Sequence, residues 1–539
     1  MSAMPPRSRT LGDLLDEMAR ARPGADAVVV RDRRLTYGAL RAAADELARA
    51  LLAAGVRKGD RVAVLLPNRP EWVIAAFAIA KLGAVTVGVS TFSAPREIAW
   101  TLEHCRPAAI ITMETFRGRN FLEAVHATCP ELAAAAPGEL RSERLPELRA
   151  VISVDARAHD GVERLGDFAQ RASVVSKGDL GKAQAEVTPA DPCYILYTSG
   201  STATPKGVVL AHGSVVDNGF DIGERMHLTA ADRVWLAVPL FWSFGSANAL
   251  PALLTHGGSL VLQASFEPGE ALALLDDARC SVYYGMANMA RAMLEHPDRG
   301  RRALAAMRTG LTIGLPEDIE MTMEAVAARE LCNVYGSTET YGNCAVTDAH
   351  DPRELRVETQ GRPLPGMTIR VVDPASGGTL GAGEVGEFRV KGHVTPGYYH
   401  DPEQTRAAFD ADGYFMTGDL GLIGDDGRVR FRGRLKEMIK TAGMNVAPLE
   451  VEAVLLGHAA VKQAYVVGVP DRTRGEVVAA AVELHDGAPA TPEMLAAFCR
   501  ERLAGYKVPA RFVFLKADEF PRTPTGKVQK PRLREELGP

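Results

Sequence analysis

The chain has 539 residues, too many for one compact core, so two or more domains are expected. Apolar residues make up 46% and charged ones 24%, with a formal net charge of -5. That balance gives no reason to expect nucleic acid or an anionic membrane as partner.

In chain order, Ala27 to Val30 reads as a short strand, and Leu40, Ala43, Leu47, Ala50 and Leu51 recur at helical spacing up to Gly55. Val62 to Leu66 is a buried-type strand, Trp72 to Leu82 an apolar helix ending at Gly83, and Ala84 to Val87 another strand. That cadence is the βαβ unit of a parallel sheet covered by helices. Ala108 to Thr112 and Ala150 to Val154 continue it, with residues 116–148 between them expected as surface helix and loop. It resumes in Arg233 to Val238, Ser259 to Leu262 and Val282 to Gly285. From about residue 361 short β segments follow: Ile369 to Val372, Gly386 to Val390 and Val429 to Phe431. Beyond Gly433, a helix–strand–strand–helix order over 449–504 predicts a separate α+β domain of roughly 100 residues. The expected fold class is α/β: an N-terminal domain, 1–433, of helix-covered sheets with a β-rich subdomain, then a small mobile α+β domain, 434–539. No run approaches the ~18 apolar residues of a membrane span, and the basic, Pro-rich opening lacks the apolar core of a secretory signal. The seven cysteines are scattered and never in CxxC spacing, which argues for a reducing, cytoplasmic setting and against a disulfide frame or zinc site.

Five stretches carry chemistry. Tyr197 to Gly207 puts hydroxyl side chains, glycines and Lys206 directly after the apolar run Cys193 to Leu196. A strand running into such a loop can cradle phosphate oxygens. Pro205 before Lys206 and Gly207 after it rule out a Walker A loop; taken alone, the stretch is equally a polar turn. Tyr335-Gly336-Ser337-Thr338-Glu339 follows a strand-like run, where a glutamate can hold Mg²⁺ or simply sit in a solvated turn. Asp419, after Thr417-Gly418, suits the vicinal hydroxyls of a ribose, or caps a turn. Arg434 and Lys436 lie where the two domains meet, and Arg434's planar fork pairs well with oxyanions. Lys527, among Pro521 to Lys530, is fixed between turn residues where it can meet developing negative charge.

In this order and at these distances, the five stretches together resemble the adenylate-forming superfamily, which holds acyl-CoA synthetases, luciferase-type ligases and the adenylation domains of peptide synthetases. The similarity runs from Leu35 to Lys530. It implies that Thr198, Ser199, Gly200, Ser201, Thr202 and Lys206 hold the β- and γ-phosphates of ATP. It further implies that Gly314, Tyr335 and Gly336 belong to the nucleotide site, with Tyr335 on adenine, Thr338 on phosphate and Glu339 on Mg²⁺. Asp419 and Arg434 would hold the ribose, and Lys527 would bridge the substrate carboxylate and the α-phosphate. Thr198, Lys206, Glu339 and Lys527 are thereby the implied catalytic set. Lys436 matches the family's hinge, and Lys440, Gly443 and Met444 its coenzyme A segment. Three positions depart from the common pattern: Ala203 replaces a glycine, Trp242 a histidine, and Gly314-Leu315-Pro316 a Gly-Ala-Pro type of sequence.

The resemblance implies an acid–CoA ligase that uses ATP, Mg²⁺ and coenzyme A. A stand-alone enzyme loading a carrier protein and a degenerate nucleotide binder remain the alternatives. Trp242, Ser243, Phe244, Tyr284, Gly285, Met286, Gly310, Thr312 and Ile313 would form the acyl pocket. They include no Arg or Lys for a second carboxylate and no Asp for an amino group, so an unsubstituted hydrophobic acid is expected, whether aliphatic, alicyclic or aryl. The partner is a small carboxylic acid, and a homodimer is compatible with the sequence.

Overall fold

The computed structural model describes residues 5–31, 33–136, 139–198, 205–441, 444–523 and 527–538. Among these, a seven-stranded sheet runs in the order Lys206–Ala211, Pro192–Thr198, Val85–Gly88, Arg61–Val64, Ala109–Thr112, Ala150–Ser153, Glu163–Arg164. Its strands are parallel except for Lys206–Ala211, which returns antiparallel on Pro192–Thr198. A nine-stranded sheet carries Glu330–Tyr335, Thr309–Thr312, Val282–Tyr284, Arg233–Leu236, Ser259–Leu262 and Asp26–Val30 as parallel neighbours.

The helices obey local rules. Tyr37–Ala53 starts where the Thr36 side chain accepts from the Ala39 N–H. Pro70–Lys81 starts with proline at its first position and buries every residue except Glu71. Such an all-round apolar helix belongs in a core, and it packs in the main cluster with Val64, Leu66, Leu236 and Leu260 from both sheets. Lys81, only 1% exposed, keeps its charge paired with Asp16 at 2.7 Å and Asp45 at 2.9 Å.

Residues 116–148 differ from the surface layer expected. Phe121, Leu122, Val125, Leu132, Leu140, Leu145 and Leu148 are all buried against the first sheet. The many Ala, Arg and Glu around them hide an apolar face that only tertiary packing reveals.

A four-stranded antiparallel sheet, Thr368–Val372, Gly386–Lys391, Phe415–Ile423 and Val429–Arg434, completes the large unit. After Leu435–Glu437 the small unit begins, with Gly475–Leu484 central and paired to Val461–Asp471, Ile439–Thr441 and Arg511–Phe514. The hairpin Ile439–Thr441/Met444–Val446, the strand Arg511–Phe514 and the helix Lys530–Leu537 were not expected from the pattern, being short or highly charged. All seven cysteines are buried and free. No helix among the described residues is long and apolar enough to cross a membrane.

Candidate active site

The strand Glu330–Tyr335 ends at the four-stranded sheet, and Tyr335 is buried there. Its hydroxyl donates to Asp419 Oδ2 at 3.0 Å, and its ring lies over Phe431 and against Phe388. Asp419 faces Arg434 across the hairpin, with Arg434 Nε 3.3 Å from Oδ1. Gly418, at φ +68, lets the chain turn into this position, and Thr417 Oγ1 accepts from the Asp419 N–H at 3.0 Å.

Burial pushes the Asp419 carboxyl up, opposed by Arg434, by the Tyr335 hydroxyl and by Lys527. Lys527 is shifted the other way, downward, chiefly by desolvation and then by Arg434 and Lys436, against the pull of Glu437 and Asp419. A lysine of the small unit thus shares the field of the carboxylate that Arg434 and Tyr335 hold.

At the stretch expected to meet phosphate, Thr198 and Lys206 are cross-strand partners, so both ends of the segment between them are fixed. Ser199, Gly200, Ser201 and Thr202 lie outside the described residues. The segment Thr395–Tyr399 zips onto the Lys206 strand: Tyr399 N donates to Gly207 O at 2.8 Å and Val209 N to Gly397 O at 3.2 Å. This seats Tyr398 between two expected site residues. Its hydroxyl donates to Glu339 Oε1 at 3.0 Å, and Lys206 Nζ stands 4.8 Å from its ring centre. Glu339 is half-buried and offers the hard carboxylate oxygen that Mg²⁺ prefers.

Among the residues expected to line the acyl pocket, the Ser243 hydroxyl lies 3.2 Å from that of Thr338, joining the segment after Pro239 to the one after Tyr335. Half-buried Trp242 packs near Phe92 and edge-on to Phe241. Phe244 opens a widened helical turn, Phe244–Ala249, and its ring meets Tyr284 at 4.6 Å. Tyr284, Gly285, Gly310 and Thr312 are buried, Met286 and Gly314 half-buried, and Ile313 38% exposed. Gly336 has no room for a side chain: a Cβ there would lie 2.4 Å from Gly342 O and 2.7 Å from Asn343 Cα.

Lys436, Lys440 and Met444 are exposed, the latter two on the hairpin that opens the small unit; Gly443 lies outside the described residues.

The whole chain matches known proteins. Residues 15–399 match the model of the AMP-binding enzyme family and residues 450–527 that of the AMP-binding enzyme C-terminal domain. The chain belongs to the AMP-binding enzyme family. Among AMP-binding relatives, a putative acyl-CoA synthetase YngI of Bacillus subtilis is 37% identical, covering 98% of this chain and 96% of that protein. The mitochondrial medium-chain acyl-CoA ligase ACSF2 of Homo sapiens is 33% identical, covering 98% and 88%. Of solved AMP-binding structures, the anthranilate CoA ligase AuaEII with anthranoyl-AMP superposes with a TM-score of 0.85 at 26% identity, covering 99% and 98%. ATP-bound MatB from Rhodopseudomonas palustris gives 0.84 at 26% identity, covering 97% and 98%. The chain is accordingly an AMP-forming acyl-CoA ligase that binds ATP, and its two-unit α/β fold is that of these enzymes.

The sequence reading lacked Tyr398, which has no motif of its own and becomes visible only when Thr395–Tyr399 pairs with Lys206–Ala211.

Proposed function

We propose that this ligase activates a hydrophobic carboxylic acid as its acyl-adenylate, releasing pyrophosphate, and then passes the acyl group to the thiol of coenzyme A. The observation that supports this reading best is the buried cluster in which the Tyr335 hydroxyl and Arg434 hold Asp419, with Lys527 in its electrostatic field. A carboxylate is repelled by the triphosphate it must attack. Lys527, already short of solvation, offsets charge on both the acid and the α-phosphate as the new P–O bond forms. Thr198 and Lys206, with residues 199–202, hold the departing β- and γ-phosphates. Asp419 accepts from the ribose hydroxyls and Arg434 steadies it. Glu339 would hold Mg²⁺, which supplies charge neutralisation on the pyrophosphate. Thr338 and Ser243 lie between the nucleotide and acyl segments.

One site cannot hold both pyrophosphate and an incoming thiol. Rotation of residues 434–539 about Lys436 would withdraw Lys527 and bring the Lys440–Met444 hairpin to the adenylate. The aromatic wall of Trp242, Phe244 and Tyr284 supports an acid with an apolar body. The names of the relatives, a medium-chain ligase and an anthranilate ligase, make medium-chain aliphatic and aryl acids the first to try.

Purified enzyme with ATP, Mg²⁺, coenzyme A and a panel of such acids tests this by AMP release and acyl-CoA formation. Acid-dependent pyrophosphate exchange without acyl-CoA would turn the reading toward a carrier-protein acceptor. No exchange with any acid would refute it.

A further inference from the structure

Tyr398 is 8% exposed and reaches two residues of the proposed site from a third part of the chain. Its hydroxyl donates to Glu339 Oε1 at 3.0 Å, and Lys206 Nζ stands 4.8 Å from its ring centre, within the range where an aromatic face attracts an ammonium. Burial first, and the Glu339 charge second, hold the hydroxyl protonated, so it donates and the carboxylate accepts. A carboxylate held at one oxygen keeps the other for a hard cation.

The backbone around this bond is fixed without it. Thr395 N donates to Glu339 O at 2.6 Å, which ties the two segments together directly. Thr395 Oγ1 donates to Val209 O at 2.7 Å, and Tyr398 N donates to Thr405 Oγ1 at 2.9 Å. Tyr398 also bridges to Val208 of the strand Lys206–Ala211. With both main chains held by other bonds, the hydroxyl is left to settle one thing, the rotation of the half-buried Glu339 side chain. Groups that hydrogen-bond a metal ligand fix its orientation, and losing one typically costs about 10–100-fold in metal affinity.

We propose that Tyr398 is a positioning residue: it fixes the Glu339 carboxylate so that the second oxygen is presented to the Mg²⁺ of the bound nucleotide, beside the ammonium of Lys206. This rests on the reading above of Glu339 as the carboxylate that holds Mg²⁺, and it adds to that reading a residue from outside the five stretches that carry the chemistry. Tyr398 acts on the metal through Glu339 alone.

Calorimetry on the full-length protein tests this by measuring ATP affinity with Mg²⁺ and with EDTA; the readout is the factor by which Mg²⁺ tightens binding, not turnover. Tyr398→Phe keeps the ring and removes the hydroxyl. It should shrink that factor about tenfold or more and leave the affinity for metal-free ATP unchanged. Glu339→Gln should shrink the factor as well. Tyr398→Phe added to Glu339→Gln should shrink it no further, because a residue that acts through another is silent once the other is gone. The proposal is overturned if Glu339→Gln shrinks the factor and folded Tyr398→Phe does not, or if the two losses add; the ligase reading then stands. A thermal midpoint showing Tyr398→Phe unfolded would overturn it too, the hydroxyl being then a prop of the fold. No tightening by Mg²⁺ in the wild type, or a factor that Glu339→Gln leaves untouched, would overturn the Mg²⁺ role of Glu339 and this inference with it.

Discussion

The contact between Lys462 and Glu295 offers a way to weigh how the small unit is held in the pose that delivers Lys527. Lys462 lies on the strand Val461–Asp471 of the small unit, and Glu295 caps the helix Ala287–Leu294 of the large one. Their charged atoms are 3.4 Å apart, with Glu295 half in solvent. Lys462 also reaches Glu483 of its own unit at 3.3 Å, so Glu295→Gln removes only the bond that crosses between units. At that distance the attraction is about 1.2 kcal/mol in water, and side-chain freedom and screening leave about 0.5–1 kcal/mol. The population of the Lys527-in pose should fall about two- to fivefold, since 1.4 kcal/mol is a factor of ten. Pyrophosphate exchange should drop by that factor in low salt, whereas transfer from preformed acyl-adenylate to coenzyme A should not drop. The difference should fade near 1 M salt, where screening reaches about 3 Å. Equal loss in both half-reactions, or a loss indifferent to salt, would refute the idea that this pair biases the pose.

Three further outcomes are expected. Tyr335→Phe removes the hydroxyl that stabilises ionised Asp419; a hydrogen bond to a charged group is worth about 1.5 kcal/mol or more, so KM for ATP should rise about tenfold with little change in the fold, as read by steady-state kinetics and thermal melting. Lys527 surrenders its proton below the ordinary lysine value of 10.5 because its surroundings disfavour the ammonium. Exchange should therefore fall as pH rises through that lowered value, and Lys527→Arg should abolish that limb; a wild-type profile that shows no fall below the ordinary lysine value would count against the assignment. Glu452, 4% exposed, pairs with Lys530 at 2.8 Å and accepts from the Val466 N–H. Glu452→Gln leaves a buried ammonium with only Glu437 at 3.3 Å, and should cost about 3 kcal/mol of small-unit stability by denaturant titration.

Much of the fold was legible because parallel strands buried on both faces announce themselves as continuous apolar runs: Ser259 to Leu262 is a strand as expected, while Val62 to Leu66 and Arg233 to Val238 overlap the strands Arg61–Val64 and Arg233–Leu236 and run two residues beyond them. The packing of 121–148 was not, since whether an Ala- and Arg-rich helix turns its few leucines inward depends on what lies beneath. The site divides in the same way. Asp419, Arg434, Tyr335 and Lys527 could be named as candidates because each sits in a local motif, although nothing local says that the Tyr335 hydroxyl grips Asp419. Tyr398 owes its place to chain segments more than fifty positions away, and a reading of neighbours along the chain has no access to such contacts.

The pairing of Thr198 with Lys206 has a consequence for engineering the stretch between them, proposed above to hold phosphates. Both anchors are locked into a strand ladder, and Lys206–Ala211 is pinned on its other side by Thr395–Tyr399. With the ends held in this way, the closure entropy depends only weakly on the number of residues between them, and doubling that number would add about 0.6 kcal/mol. Insertions within it become useful probes: the protein should still fold, and lost activity would then report on the part that the proposal gives this stretch. The hairpin acts as a socket into which loops of other lengths can be fitted and compared.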